Sequence, residues 1–154
     1  MHVVLFQPEI PPNTGSVARL CAATLSTLHL IEPLGFKIDD KHLKRAGLDY
    51  WEFVDLRLHE SWDQFLRQQS DKRLLFFSKR ATRSYAQACY QEDDYLVFGP
   101  ETRGLPQQLL DAHPEHAYYI PMMGSGVRSL NLSNAVSIVV YEGLRQLGRL
   151  NPKR

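Results

Sequence analysis

The sequence has few residues that could build a metal site, a disulfide framework or a membrane segment. Two cysteines, Cys21 and Cys89, occur in 154 residues, without the C-x-x-C spacing or histidine cluster of a metal site. No apolar run reaches the roughly 20 residues that a membrane-spanning helix needs. The opening residues, MHVVLFQPEIPP, lack the basic start and long apolar stretch of a signal peptide. We therefore expect a cytoplasmic protein with no metal ion and no membrane partner, and with Cys21 in the core.

The chain also lacks a strong net charge of either sign. Its 18 Lys and Arg residues nearly balance 17 Asp and Glu residues, for a formal net charge of +1. The overall charge therefore neither favours nor excludes a nucleic-acid partner, and any basic patch must come from local placement. A chain of this length with 44% hydrophobic residues can bury a real core. We expect one domain over residues 1–154.

Short apolar runs typical of buried strands alternate with segments of helical spacing. Strands are predicted at residues 2–6, 27–32, 52–56, 73–78, 95–98 and 117–120, of which 52–56 is the weakest. Helices are predicted around 17–22, at 39–46, at 61–69 with Ser61 as cap, at 106–112, and from Asn131 or Ser133 onward. This order predicts an α/β fold with a doubly wound, mostly parallel sheet flanked by helices.

Polar and glycine residues concentrate in the three loops that follow Phe6, Phe98 and Ile120. Ligands of doubly wound sheets lie beyond the carboxyl ends of the strands, so these loops are expected to form a site. In the first loop, Asn13-Thr14-Gly15 precedes Arg19. Asn13 or Thr14 could cap the first helix, with Arg19 simply on the surface. Alternatively, the loop and helix start contact a phosphate or hydroxyl, for which Arg19 supplies a fixed, forked charge.

The second loop, Phe98-Gly99-Pro100-Glu101-Thr102-Arg103-Gly104-Leu105-Pro106, is the more specific signal. Gly99 permits close approach of the backbone. Glu101 and Arg103 place charges at a strand end, where the fold seldom needs them, although they could form a surface ion pair of little value. The run has neither the Gly-Lys-Ser/Thr of a P-loop nor a G-x-S-x-G elbow, which disfavours a phosphate loop and a hydrolase triad.

The third loop passes through a glycine-rich turn, Gly124-Ser125-Gly126, into a polar cluster and then an apolar helix. The cluster contains Arg128, Ser129, Asn131, Ser133 and Asn134. A helix start needs only one such cap, and Ser133 or Asn134 could be that residue. The remaining polar side chains are then available to a ligand. Tyr141, inside the apolar helix, could equally pack in the core with its hydroxyl at the rim.

Taken together, these motifs resemble those of the SPOUT class of RNA methyltransferases. The matching segments are Asn13-Thr14-Gly15-x-x-x-Arg19, FGPETRGL at 98–105, IPM at 120–122 and RSLNLSNA at 128–135. The opening QPEIPPNTGSVARLCA and the stretch IEPLGFKIDDKHLKRAGLDYW resemble most closely the family that methylates the ribose 2′-hydroxyl of the wobble nucleotide, C34 or U34, of tRNA. The loop at 123–127 departs from the pattern, because it is a residue longer and richer in glycine.

The resemblance implies a C-terminal trefoil knot, S-adenosylmethionine as cofactor, and a homodimer with each site near the interface. It places the cofactor against Phe77, Ser78, Gly99, Gly104, Ile120, Met122, Ser129 and Leu130. The positions that match the catalytic ones are Arg19, Asn13, Glu101, Ser129 and Asn131, with Tyr141 at a position implicated in methyl transfer. General rules of chain topology would not have predicted the knot.

Binding of tRNA is expected to be largely electrostatic. The candidate contacts are Lys41, Lys44, Arg45, Arg80 and Arg128, with Tyr50 or Trp51 stacking on a base. The basic run around Lys44 could equally be a solvated face. Three alternatives remain open: a 2′-O-methyltransferase of the same fold acting on rRNA or another tRNA position, a non-catalytic RNA-binding module, and a generic nucleotide-binding α/β protein, which the absence of a phosphate-loop signature places last. The lack of an appended RNA-binding domain disfavours the first, and the polar set around Asn131 disfavours the second.

Overall fold

The computed structural model describes residues 1–39 and 50–151, so most of the helix predicted at 39–46 lies outside the described residues. The strands are β1 (His2–Phe6), β2 (Thr27–Ile31), β3 (Leu56–His59), β4 (Leu74–Phe77), β5 (Arg83–Ser84), β6 (Tyr95–Phe98) and β7 (Ala117–Tyr119). The α-helices of this part of the chain are α1 (Pro11–Thr24), α2 (Trp62–Gln68), α3 (Gln107–Ala112) and α4 (Leu132–Gln146). None of these helices is long and apolar enough to cross a membrane.

The strands form one sheet in the order β3-β2-β1-β6-β4-β7-β5, and each pairing is parallel. From β1 the chain first builds outward through β2 and β3, and it then builds the other half of the sheet. The direction therefore reverses between β1 and β6, which pair from His2 with Tyr95 to Leu5 with Phe98. The predicted parallel α/β fold is confirmed, and a ligand is expected beyond the carboxyl ends of these two strands.

Helices cover both faces of the sheet, so the central strands are apolar on both sides. On one face, Val3 and Leu5 pack with Cys21 of α1 and Val139 of α4. Val4 faces the other way, into the cluster that contains residues of α2 and α3. Cys21 is fully buried, as predicted, and burial raises the pKa of its thiol to about 12, so it acts as a core side chain rather than a reactive one.

Two of the predicted elements need correction. The weak strand predicted at 52–56 is instead a short 3-10 turn, Trp51–Phe53, and the strand begins at Leu56, where pairing with Leu28 of β2 starts.

The first helix begins at Pro11, and neither Asn13 nor Thr14 is its cap. Proline suits the first helical turn because the N–H it lacks has no partner there. Asn13 and Thr14 are consequently buried inside the helix. The cap predicted for α2 is confirmed, since Ser61 accepts a hydrogen bond from the Gln64 backbone.

Candidate active site

A cavity of about 500 Å³ opens at the carboxyl ends of β4, β6 and β7. The chain segments that follow these strands form most of its wall, and the start of α1 closes one side. The lining includes Phe77, Ser78, Lys79, Arg80, residues 98–104, Ile120, Met122, residues 129–132 and Ala135, with Ile10 and Asn13 from the start of α1. The sheet thus places side chains from distant parts of the sequence around one space.

Apolar groups and close backbone contacts shape this cavity. The rings of Phe77 and Phe98, at the ends of neighbouring strands, stack with their centroids 5.0 Å apart. A Cβ atom on Gly99 would lie 2.2 Å from the backbone nitrogen of Leu105, so only glycine fits there. Gly104 adopts a φ of +67°, which disfavours other residues. These contacts fold the loop after β6 tightly back on itself and expose its backbone to the cavity.

Glu101 joins the loop after β6 to the loop after β1. Its carboxylate accepts hydrogen bonds from the backbone N–H of Glu9 at 2.8 Å and of Ile10 at 3.0 Å, and from Asn13 Nδ2 at 3.2 Å. A second hydrogen bond joins the same two loops, because the carboxylate of Glu9 accepts from Thr102 Oγ1 at 2.8 Å. The surface ion pair considered for Glu101 and Arg103 is therefore not formed. Glu101 instead accepts from backbone N–H groups just before α1, whose first two residues, Pro11 and Pro12, have no N–H for a side-chain cap to satisfy.

Asn131 extends this network into α4. It is the N-cap of α4, in place of Ser133 or Asn134, because its Oδ1 accepts from both of their backbone N–H groups. The amide Nδ2 of Asn131 donates to Oδ1 of Asn13 at 2.9 Å. Asn13 in turn donates to Glu101. The hydrogen bonds run in one direction, from the amide of Asn131 through Asn13 to the carboxylate.

The cavity gathers most of the residues that the sequence predicted for the site. The predicted cofactor residues Phe77, Ser78, Gly99, Gly104, Ile120, Met122, Ser129 and Leu130 all line it, as do Asn13, Glu101 and Asn131. The glycine-rich turn, Gly124-Ser125-Gly126, contributes less to the cavity than its composition indicated. Cβ atoms on Gly124 and Gly126 would meet nothing within 4 Å.

Arg19 and Tyr141 do not line the cavity of their own chain. The Arg19 guanidinium lies over the ring of Tyr50, 4.7 Å from its centroid. Tyr141 is 49% exposed on α4. Helices α1 and α4 pack against each other.

The predicted RNA-binding residues fall in different places. Arg80 lies at the cavity and Arg128 is exposed on the loop before α4. Lys41, Lys44 and Arg45 lie outside the described residues. Sequence reasoning missed Gln7 and Glu9, which hold the second loop in place. The signal that identified Glu101, a charge at the end of a buried strand, would also have found Glu9.

Residues 1–141 match the family model described as the SpoU rRNA methylase family. The chain belongs to this family. The SPOUT-class resemblance is thereby confirmed, and the chain is an S-adenosylmethionine-dependent methyltransferase. The cavity lies beyond the carboxyl ends of β4, β6 and β7, on one side of the point between β1 and β6 where the sheet reverses direction, and the start of α1 reaches it from across that point.

Three similar proteins place the SpoU chain among its relatives. The tRNA (cytidine(34)-2′-O)-methyltransferase of Saccharophagus degradans is 53% identical over 148 residues, which cover 96% of each chain. A solved structure from work on the 2-OH methylation of C/U34 on tRNA has a TM-score of 0.91 and 53% identity, covering 96% of this chain and 95% of that one. The SpoU methyltransferase AviRb of Streptomyces viridochromogenes, solved with AdoMet, shares the fold, with a TM-score of 0.83, 22% identity, and coverage of 96% and 60%.

Proposed function

We propose that this protein transfers a methyl group from S-adenosylmethionine to the ribose 2′-hydroxyl of the wobble nucleotide, C34 or U34, of tRNA. The observation that carries the proposal is the convergence of three separate sequence motifs on one cavity. Relatives that match nearly the whole chain at 53% identity are named for this reaction. We further propose that residues 1–154 form one catalytic domain acting in the cytoplasm, where tRNA is modified.

The cavity fits the proposed cofactor in size and chemistry. Its volume of about 500 Å³ lies in the range of small-molecule sites. Ile120 and Leu130 provide apolar walls for an adenine ring, and the loop from Gly99 to Gly104 offers backbone groups for its polar edge. When bound, S-adenosylmethionine supplies an activated methyl group on a sulfonium. The residues named here would hold it beside the loop after β6.

The protein must solve a problem on the nucleophile side of this reaction, because a ribose hydroxyl is a weak acid. Holding that hydroxyl in line with the methyl group is the largest contribution we expect from the protein. Ser129 and Asn131 line the cavity and can orient the ribose, and Glu101 fixes Asn13 and the loops around them.

Arg19 is proposed to act through its positive charge rather than as a general base. A guanidinium is effectively never deprotonated in a protein. It can instead grip the phosphate beside the target ribose and stabilise the developing alkoxide, while a phosphate oxygen accepts the proton. Tyr141 is proposed to help orient Arg19 at the site.

A second copy of the chain is proposed to bring Arg19 and Tyr141 to the cavity. Neither residue lines the cavity of its own chain, and the two helices that carry them pack against each other. Tyr141 and Tyr50 are 49% and 42% exposed, and tyrosine is enriched at protein interfaces. A homodimer through α1 and α4 would cover them and complete each site with residues of the partner.

We also propose that the segment from β7 to α4 forms the trefoil knot that the sequence resemblance implies. β7 lies between β4 and β5 in the sheet, so the last strand enters between two earlier ones. This order is compatible with a chain end that threads through an earlier loop. The knot would wrap the residues from Ile120 to Leu130 around the cofactor.

The experiment that tests the function measures methyl transfer from labelled S-adenosylmethionine to total tRNA from a strain lacking this gene, followed by nucleoside mapping. Label on the ribose of nucleotide 34 is the expected result. Label on another tRNA position, or on rRNA offered in parallel, would replace the proposed substrate with one of the alternatives. Binding of tRNA without any transfer to either RNA would leave a non-catalytic binding module.

A further inference from the structure

A second groove, of about 350 Å³, adjoins the cavity on the side of β1. Its lining consists of Phe6, Gln7, Arg80, Arg103, Gly104, Leu105 and Pro106. Arg80, Arg103 and Gly104 line both spaces, so the groove borders the cavity at these three residues. The segment 120–135, which forms much of the cavity wall, contributes nothing to the groove. A ligand that filled the cavity and extended past Arg103 would enter it.

Both arginines at this junction are held by neutral acceptors. Arg103 Nη2 donates to Oε1 of Gln7 at 3.0 Å, and Arg80 Nη2 donates to the backbone carbonyl of Leu105. Within residues 1–39 and 50–151, neither guanidinium has a carboxylate within 4.0 Å, whereas Arg73 pairs with Asp94 at 2.6 Å. The two positive charges are therefore oriented but not neutralised, an arrangement that suits an anionic ligand.

The backbone at Gln7 supports a functional role for its contact with Arg103. Gln7 has a φ of +49°, a left-handed conformation that residues other than glycine rarely adopt. Its N–H remains paired, donating to the carbonyl of Ile31 at 3.0 Å. The unfavourable turn directs the side chain of Gln7 away from the strand and onto Arg103. Local strain of this kind concentrates at ligand sites.

We infer that the groove is the subsite for a nucleotide adjacent to the methylated one, with Arg103 and Arg80 on its phosphodiester. The inference rests on the proposed function. Guanidinium groups match the geometry of phosphate oxygens, and the exposed ring of Pro106 offers an apolar contact for a base or ribose. Gln7 acts as a positioning residue that aims Arg103 without cancelling its charge.

The test compares four variants in two binding measurements. Arg103→Gln and Arg80→Gln each remove one charge, and Gln7→Glu keeps the shape of Gln7 but neutralises Arg103 with a carboxylate. Arg67→Gln, at an exposed position on α2 outside both spaces, is the control for charge alone. Affinity for tRNA is measured over a range of salt concentrations, and affinity for S-adenosylmethionine is measured by calorimetry.

The first three variants are expected to weaken tRNA binding by about tenfold and to lower the salt slope by about 0.7, the value for one single-stranded phosphate contact. Cofactor affinity and the Arg67→Gln variant are expected to match wild type. Weaker cofactor binding with unchanged tRNA affinity would overturn the inference, because the arginines would then serve the carboxylate of the cofactor. Unchanged affinity for both ligands would also overturn it.

A modified RNA separates this inference from the proposed function. Wild-type protein and Arg103→Gln are compared on tRNA carrying a neutral methylphosphonate next to nucleotide 34. The modification is expected to weaken binding by wild type more than binding by Arg103→Gln, since one of the two arginine contacts to that phosphate is already lost in the variant. Equal losses in both proteins would refute the subsite. Failure of wild type to methylate any tRNA would refute the proposed function, and the binding results would still decide the subsite.

Discussion

Asn131 donates a hydrogen bond at 2.9 Å to Asn13, a residue 118 positions earlier in the chain. The same Asn131 caps α4 through its Oδ1, so its two amide atoms serve two different purposes. One stabilises the helix, and the other ties that helix to α1 and, through Asn13, to Glu101. The capping role of this residue and its proposed catalytic role can therefore be separated by substitution.

Replacing Asn131 with serine or alanine separates these roles. Serine is as good a helix cap as asparagine, so Asn131→Ser is expected to unfold close to wild type, whereas Asn131→Ala loses about 1 kcal/mol. Neither side chain can reach Asn13 as the amide does, so both variants are expected to lose methyl transfer by a similar factor. Urea unfolding and single-turnover kinetics measure the two effects. Wild-type turnover in Asn131→Ser would show that only the cap matters.

Glu101→Gln tests the link between the two loops. The glutamine retains one acceptor oxygen but turns its amide donor toward the backbone N–H of either Glu9 or Ile10, which bond to different oxygens of Glu101. We expect a loss of about 1–3 kcal/mol in the free energy of unfolding, because at least one charge-assisted hydrogen bond is lost. Cofactor affinity is expected to fall as well, as the loop after β6 loosens. Glu92→Gln, at an exposed glutamate paired with Arg149, controls for the change in charge.

Gly99→Ala tests whether the cavity depends on close packing of the loop after β6. The added methyl group would lie 2.2 Å from the nitrogen of Leu105, so the loop has to move. We expect a destabilisation of about 3 kcal/mol and loss of cofactor binding. Gly124→Ala is the matched control, because a Cβ there meets nothing within 4 Å. A stable, cofactor-binding Gly99→Ala protein would contradict this packing.

The fold could be predicted from the sequence where burial determines the pattern. The residues of β1 and β6 form short apolar runs that no helix would accommodate, and both strands were predicted with their observed bounds. Prediction failed at 52–56, where a polar and apolar mixture gives little periodicity and the pairing register with β2 decides where the strand begins. The sheet order could not be derived, because β7 pairs with strands distant in sequence.

The candidate site was predictable as a set of residues but not as a network. Charges at strand ends indicated Glu101, yet its partners are backbone N–H groups of another loop, which have no signature in sequence. The cap of α4 was assigned to the wrong residues because Ser133 and Asn134 have side chains as suitable as that of Asn131. The proposed role of Gln7 depends on a left-handed φ, and nothing in the sequence predicts that conformation at a glutamine.

Three histidines form a hydrogen-bonded row across β1, β2 and β3. His59 Nδ1 faces the Oε1 of Gln68 at 3.0 Å and therefore carries the hydrogen. His29 then donates to Nε2 of His59 at 2.9 Å, and His2 donates to Nε2 of His29 at 3.1 Å. Burial is the main cause that lowers the pKa of His29 to about 3 and that of His2 to about 4, so the row is neutral at physiological pH.

This histidine row predicts a loss of stability in acid. The unfolded chain takes up protons near pH 6.5, whereas the folded protein resists protonation of His29 down to about pH 3. The free energy of unfolding should therefore fall as pH decreases between these values, by at most about 1.4 kcal/mol per pH unit for His29. Urea unfolding from pH 7 to pH 4 measures this slope. His29→Gln should flatten it, and His116→Gln, at a more exposed site, should not.

Arg19 provides a test of the proposed dimer. Because it lies outside the cavity of its own chain, Arg19→Ala is expected to lower turnover by about a hundredfold while leaving cofactor affinity unchanged. Arg19→Lys keeps the positive charge but not the forked hydrogen-bond donors of the guanidinium, and its turnover should lie between those of Arg19→Ala and wild type.

Co-expressing Arg19→Ala with Ser129→Ala under different affinity tags gives heterodimers for comparison with each parent. If the partner supplies Arg19, one of the two sites in such a heterodimer has both residues intact and the other has neither. The purified heterodimer should then show about half of wild-type turnover, although each parent homodimer is nearly inactive. A heterodimer as inactive as its parents would mean that Arg19 serves the cavity of its own chain, and α1 would have to move to bring it there.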